Sequence, residues 1–317
     1  MMMMRADLHV HTLHSTRSGN MRFLRSRDCY SRPIDVYRTA RSRGMDLVAI
    51  TDHDSIDGAL ELASSVEHPD TVIIGEEVSC WHRGIEVHLG VYGMTESLHR
   101  DIQPLRRNAF DVIACLRSAG VFFSLNHLLH FYRWQAPLTE YLRLVGEVPA
   151  LEARNGAMLP AHNLLIEEIV SRRRGGNQAT LAAIGGSDAH TLRRVGRTWT
   201  EAPGRNREEF LDSLARGLGR TGGDHGDAST VACDAYGVIR SFVASLMGLG
   251  PRDHAGWRRA GCLAFSGVSL PLQFMPLAIA LARKRGEADT VRRVAAELNA
   301  VAGRALRQPV QIRDAPW

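Results

Sequence analysis

The 317-residue sequence predicts an α/β fold built on a mainly parallel sheet covered by helices. Two observations predict it. From about Arg5 to Pro203, short apolar runs alternate with stretches of helical period. Ionisable and amide side chains also gather at the ends of those runs: His9 and His11, Asp52 to Asp54, Glu76 and Glu77, Asn126 and His127, Asp188 and His190. In parallel α/β folds the carboxyl ends of the strands share one mouth, so residues distant in sequence meet there. The alternation fits an open sheet and a closed barrel equally.

The elements follow in order. Ala6 to Val10 reads as a first strand. Pro33 to Arg43 reads as a helix, with proline in its first turn and Gly44 as its stop. Leu47 to Ile50, Val72 to Ile74 and Val87 to Tyr92 are apolar strands. Leu105 to Ala119 has helical period and ends at Gly120. Val121 to Leu125, Ala150 to Ala153 and Leu181 to Ile184 complete the strands, with a helix from Asn163 to Arg173 between the last two. After Pro203 the character changes, which divides the chain into residues 1–204 and a helical extension, 205–317. Asn206 caps a helix with Glu209 at the third position. A Gly-rich turn spans Gly217 to Gly226, and the pattern is helical from Tyr236 onward. Residues 260–282 carry no charge. That run has bilayer-spanning length, but Pro271, Gln273 and Pro276 interrupt it. It fits a packed helical hairpin or a homo-oligomer surface better than a membrane-associated helix.

Composition bounds the partners. The formal charge is +5, and every basic residue but Lys284 is arginine. The charge favours an anionic partner without amounting to a nucleic-acid signature, and the uniform Arg bias weakens any single arginine as a phosphate ligand. Five scattered cysteines without a CxxC pair argue against a thiolate zinc site and a disulfide framework. With no apolar core of signal-peptide length near Met1 to Met4, a cytoplasmic location is expected.

The chemistry sits in the polar strand ends. His9-Val10-His11 places two imidazoles on one strand face, where both reach a single ion. Thr51-Asp52-His53-Asp54 puts three ionisable groups directly after a buried strand. Glu76 and Glu77 offer a carboxylate, the ligand type that bridges two cations. His88 and His127, taken singly, read as hydrogen-bonded core histidines. Ser187-Asp188-Ala189-His190 supplies a carboxylate and an imidazole at i and i+2. A solvated loop accounts for any one of these; five or six together in one domain are not independent accidents.

Asp7-Leu8-His9-Val10-His11-Thr12, Thr51-Asp52-His53-Asp54, Gly75-Glu76-Glu77-Val78-Ser79, Val87-His88-Leu89-Gly90, Asn126-His127 and Ser187-Asp188-Ala189-His190 resemble, in type and order, the motifs of the polymerase and histidinol phosphatase (PHP) family. The resemblance covers about residues 5 to 200 and implies a distorted (β/α)7 barrel with two or three divalent metals at the strand ends. Motif by motif, it implies that His9, His11, Glu77 and Asp188 bind the first metal. Glu77 as the bridge, with His88 and His127, binds the second, and His53 and His190 bind the third. Glu77 stands where the family's ligand follows the glycine by two residues; Glu76 is the alternative. Where the family often has an Asp for the third metal, this chain has Thr16, and Asp28 is the substitute if its loop folds back.

The nitrogen and oxygen ligand set suits Mn, Fe or Zn alike. The implied activity is phosphoester hydrolysis, of a monoester or a diester, by a metal-activated hydroxide, with Asp188 at the catalytic metal and His53 or His190 as proton donor. A small phosphorylated substrate is expected, with Arg17, Arg22, Arg154, Arg193 and Arg194 as candidate phosphate clamps. Two alternatives stand: a nuclease acting on nucleic-acid ends, disfavoured by few aromatics for base stacking, and a non-catalytic metal-stabilised regulatory module.

Overall fold

The computed structural model describes residues 2–15, 24, 26–130, 137–174, 181–251, 256–268 and 274–307. Nine strands form one mixed sheet: β1 (Met3–Asp7), β2 (Leu47–Ile50), β3 (Val72–His82), β4 (Ile85–Tyr92), β5 (Phe122–Leu125), β6 (Ala150–Asn155), β7 (Ala182–Gly186), β8 (Thr198–Pro203) and β9 (Arg220–Gly223). Their order is β7-β6-β5-β4-β3-β2-β1-β8-β9. The sheet curls until its ends nearly meet. A parallel bridge joins Val10, beyond β1, to Ala189, beyond β7. Thr200 Oγ1 of β8 accepts the Gly185 N–H of β7 at 2.7 Å.

The helices are α1 (Pro33–Ser42), α2 (Asp57–Ser65), α3 (Glu96–Ile102), α4 (Ala109–Ser118), α5 (Leu138–Glu147), α6 (Pro160–Arg174), α7 (Arg207–Ala215), α8 (Ala228–Leu246), α9 (Gly256–Val268) and α10 (Met275–Arg307). All seven strands expected before residue 200 are present, and the fold is the expected distorted α/β barrel with C-terminal helices.

The departures have local causes. The first strand ends at Asp7, not Val10. Past it, the Asp7 carboxylate accepts N–H groups from His9 (3.3 Å), Ser187 (2.8 Å) and Gly196 (2.7 Å), so the chain leaves the ladder and turns along the barrel mouth. The strand–helix alternation also breaks at β3, which pairs antiparallel with β4. Arg83 and Gly84 link them at φ 48° and 79°. Two consecutive positive φ values make the two-residue turn whose twist suits a hairpin.

Within the expected Gly-rich turn lies β9, antiparallel to β8. A Cβ at Gly222 would come within 2.8 Å of the Trp199 ring, so glycine lets the indole lie against this edge strand. Asn206 caps α7 by accepting the Glu209 N–H at 2.9 Å. Phe210 and Leu214 of α7 sit in one apolar cluster with Leu8, Leu47, Ile73 and Ile184 of the barrel. The expected division at 204/205 thus falls between β8 and an α7 that packs on the barrel.

The described residues beyond β9 form helices α8 to α10. Val291, Val294 and Leu298 of α10 join the largest core cluster, beside Leu165, Ile166 and Ile169 of α6. Of the charge-free run 260–282, residues 269–273 lie outside the described residues. Leu263, Phe265 and Val268 of α9 and Leu277, Ile279 and Leu281 of α10 are exposed. Among the described residues no helix is long and apolar enough to cross a membrane.

His162, buried in α6, has its Nδ1 3.3 Å from Asn163 Oδ1. Burial pushes its pKa down to about 4. The unfolded chain therefore takes up a proton near pH 6.5 that the folded chain refuses until about pH 4. Its stabilising effect is complete above that upper value and is lost as pH falls through the window. Between about pH 7 and about pH 5, wild type is expected to lose roughly 2 kcal/mol more than His162→Gln in urea titrations. Parallel losses in the two proteins would show that His162 is not the group responsible.

Candidate metal centre

Glu77 stands at the centre of the barrel mouth. Its Oε1 lies 3.2 Å from His9 Nε2, 3.2 Å from His88 Nδ1 and 2.9 Å from His127 Nε2. Its Oε2 lies 3.5 Å from His11 Nε2 and 3.0 Å from His53 Nδ1. One carboxylate thus faces two groups of imidazoles, one with each oxygen. Glu76, the next residue on β3, points to the opposite face because strand side chains alternate. There it meets His99 Nδ1 at 2.7 Å, and burial pushes its carboxyl pKa up to about 7.

Asp188 completes the cluster: its Oδ1 lies 3.4 Å from His11 Nε2, 3.6 Å from His9 Nε2 and 3.7 Å from His190 Nδ1. The His190 ring lies 4.4 Å from that of His11, centroid to centroid, and is partly open to solvent. All eight residues expected to bind metal therefore converge on one mouth. Asp28 does fold back, with Oδ2 3.8 Å from His53 Nε2 and accepting from Ser15 Oγ at 3.3 Å. Thr16, Arg17 and Arg22 lie outside the described residues. The Arg154 guanidinium is committed to Gly223 O (3.0 Å) and Glu167 Oε1 (3.2 Å). Arg194 is buried on the Gly156 carbonyl, and Arg193 interacts with Cys233.

Backbone geometry places several of these groups. Asp54, His127 and Asp188 adopt φ of 54°, 25° and 51°, a region that side-chain-bearing residues seldom occupy and that is held where a site requires it. A Cβ on Gly186 would come within 2.4 Å of the His9 Cβ, so only glycine lets β7 pass this close to the first histidine.

A layer of side chains orients the cluster. His9 Nδ1 lies 2.8 Å from Glu152 Oε1, leaving Nε2 facing Glu77 and Asp188. Glu152 Oε2 accepts the His127 N–H at 2.9 Å and an Asn155 Nδ2 N–H at 2.8 Å. Asn126 Nδ2 donates to Glu77 Oε1 at 3.2 Å. Asp52 accepts the Thr12 N–H (2.5 Å) and hydroxyl (2.6 Å), tying the HxHT segment to the end of β2. Glu152 and Asn155 were not singled out from the sequence. The available signal was one acid inside the apolar run Leu151 to Ala153, since a buried carboxylate needs a partner.

The electrostatics favour cations. Burial alone would raise Glu77 and Asp188, but the surrounding imidazoles hold both well below the usual carboxylate range. Burial lowers His11 to about 4 and puts His53 well below its ordinary value, so both stay neutral with lone pairs available. Burial opposes charge on His9 as well; Glu77, Glu152 and Asp188 outweigh it and raise its pKa. A metal would replace that proton. His9 Nε2, His11 Nε2 and Glu77 Oε2, which lie together in the mouth, are buried without a hydrogen-bond partner. Buried polar atoms left facing one point are costly unless a cation takes the place of their protons, so the residues present fit a metal.

The PHP-associated family matches residues 174–218. The chain is 37% identical over 76 residues to an uncharacterized protein of Methanocaldococcus jannaschii, a match spanning 24% of this chain and 44% of that relative's length. The fold is shared with a two-domain protein from Bacteroides vulgatus containing a predicted PHP-like metal-dependent phosphoesterase. The TM-score is 0.52 at 16% identity, over 76% of this chain and 69% of that one. A putative metal-dependent phosphoesterase from Bifidobacterium adolescentis aligns at TM-score 0.44 and 17% identity, over 67% of this chain and 96% of that one. The PHP-associated match agrees with the family that the motif order implies, and the shared barrel agrees with the fold it implies.

Proposed function

We propose that the chain is a metal-dependent phosphoesterase whose centre holds at least two divalent cations. One observation carries the reading: the two oxygens of Glu77 face separate groups of imidazoles, His9, His88 and His127 on one side and His11 and His53 on the other. The ligand sets that the resemblance implies, His9, His11 and Asp188 for one cation and His88 and His127 for a second, share Glu77 but cut across the two groups at its oxygens, since His9 lies with His88 and His127. His53 and His190, with Asp28 beside them, offer a third position. Bound cations would supply a water acidic enough to attack phosphorus near neutral pH and the charge to neutralise phosphoryl oxygens.

The chain's own groups do the rest. Glu152 fixes the His9 ring through Nδ1, and outer partners of this kind set ligand orientation. Burial disfavours a charged His190, but Asp188 and Asp28 outweigh it and raise its pKa. Where no cation takes it up, His190 lies in reach of solvent with its pKa raised and is suited to protonate a leaving oxygen.

Protein purified after Mn or Fe supplementation is expected to contain two or more ions per chain, because the ligand supply exceeds the four donors one tetrahedral ion takes. Metal analysis returning one ion or fewer would count against the reading. Assays with phosphomonoesters, phosphodiesters and short oligonucleotides under Mn would then separate a small-molecule esterase from a nuclease. Turnover of none of them by the fully loaded protein would favour a non-catalytic module.

A further inference from the structure

We propose that α10 is a positioning element of the metal centre. Through Glu287 and Lys284 it fixes the segment after β6 so that Asn155 aims Glu152 and Asp188 at the histidines. The inference rests on the metal-site reading above and adds a role for the C-terminal helix.

The connection is a continuous set of hydrogen bonds. Glu287 Oε1 accepts the Leu159 N–H at 2.6 Å. Lys284 Nζ donates to Ala157 O and to Glu287 Oε2, each at 2.5 Å. The segment so held returns the Ala157 N–H to Asn155 Oδ1 at 2.7 Å. That contact fixes the amide's orientation, because the oxygen can only accept and the nitrogen then presents its two hydrogens the other way. Asn155 Nδ2 donates to Glu152 Oε2 at 2.8 Å and to Asp188 Oδ2 at 3.2 Å. Glu152 in turn meets His9 Nδ1 and the His127 N–H. Four side chains, Glu287, Lys284, Asn155 and Glu152, with the backbone of Ala157 and Leu159, thus link α10 to two histidines and a carboxylate of the centre.

Two further facts favour a specific role over incidental packing. Lys284 is the only lysine in a chain that otherwise uses arginine, and it is 8% exposed. A compact ammonium donates at one point where a guanidinium fork would need more room. Val291, Val294 and Leu298 seat α10 in the main core beside α6, which opens directly after the held segment. The helix is therefore a fixed post from which Glu287 and Lys284 reach.

The test uses the full chain. Glu287→Ala removes the acceptor for Leu159, Glu287→Gln keeps an acceptor without the charge, and Asp289→Ala alters an exposed neighbour that pairs only locally with Arg292. Mn affinity is read by chelator competition, kcat and KM on the preferred phosphoester, and amide exchange at Ala157. Glu287→Ala is expected to weaken Mn binding about tenfold, as loss of a partner behind a ligand does. Its kcat should fall more than its KM rises, and the Ala157 amide should exchange faster. Glu287→Gln should recover most of the affinity, and Asp289→Ala should match wild type. Wild-type affinity and kcat in Glu287→Ala would overturn the proposal, even with a lower melting temperature. If Glu287→Ala does not fold, an affinity loss in Lys284→Gln takes its place as support, and unchanged affinity there overturns. If wild type binds no Mn, the metal reading fails separately. Ala157 exchange then decides the brace: faster in Glu287→Ala supports it, and unchanged exchange overturns it.

Discussion

Asp188→Asn and His11→Ala are each expected to lower turnover by several orders of magnitude while the protein stays folded. Both side chains face the same point, with Asp188 Oδ1 3.4 Å from His11 Nε2. On the proposed reading, loss of a cation there would remove both the source of the nucleophile and charge stabilisation of the phosphoryl oxygens. Asparagine tolerates the left-handed backbone at this position, so Asp188→Asn removes charge with little conformational cost. His11 Nε2 faces Glu77 and Asp188 at 3.5 and 3.4 Å, so truncation to alanine removes contacts within the centre and leaves the strand ladder in place. Steady-state assays with saturating Mn, beside circular dichroism, would check both variants. Retention of more than about a tenth of wild-type turnover, roughly 1.4 kcal/mol of barrier, would show that the residue is not a ligand of the reacting centre.

The second large effect concerns stability. Phe210→Ala is expected to cost about 3 to 5 kcal/mol, the usual range for emptying a buried phenyl site. Phe210 is fully buried, and its ring belongs to a cluster with strand residues Leu47, Ile73 and Ile184. Its backbone also lies 2.9 Å from where a Cβ on Gly204 would be, so the helix is drawn tightly onto the end of β8. Urea titration measures the loss directly. A cost below about 1 kcal/mol, well under the core range, would mean that α7 lies loosely on the barrel.

Much of the barrel was legible because each of the seven expected strands contains an apolar run and most of the clustered polar groups sit at the end of one. His53, Glu77, His127 and Asp188 could be placed at a common mouth without knowing the pairing order. The choice between Glu76 and Glu77 needed the pleat: only the structure shows which one faces His9 and which meets His99. β9 was illegible for a different reason. Arg220-Thr221-Gly222-Gly223 has no apolar alternation, and its pairing depends on glycine admitting the Trp199 ring. Local pattern also fails for Glu152, a lone acid inside an apolar run, and for Glu287, which bonds across 128 positions to Leu159. Such contacts come from packing, which periodicity does not encode.

Lys284 has a consequence for the chain's own surface chemistry. A protein with many arginines and one lysine offers amine-directed reagents a single side-chain target. Here that amine is spent on a carbonyl and a carboxylate beneath the helix that bears it. Acylation or reductive alkylation at this position therefore requires α10 to lift first. The accessible lysine chemistry of the molecule becomes a clock for one motion, the unseating of α10.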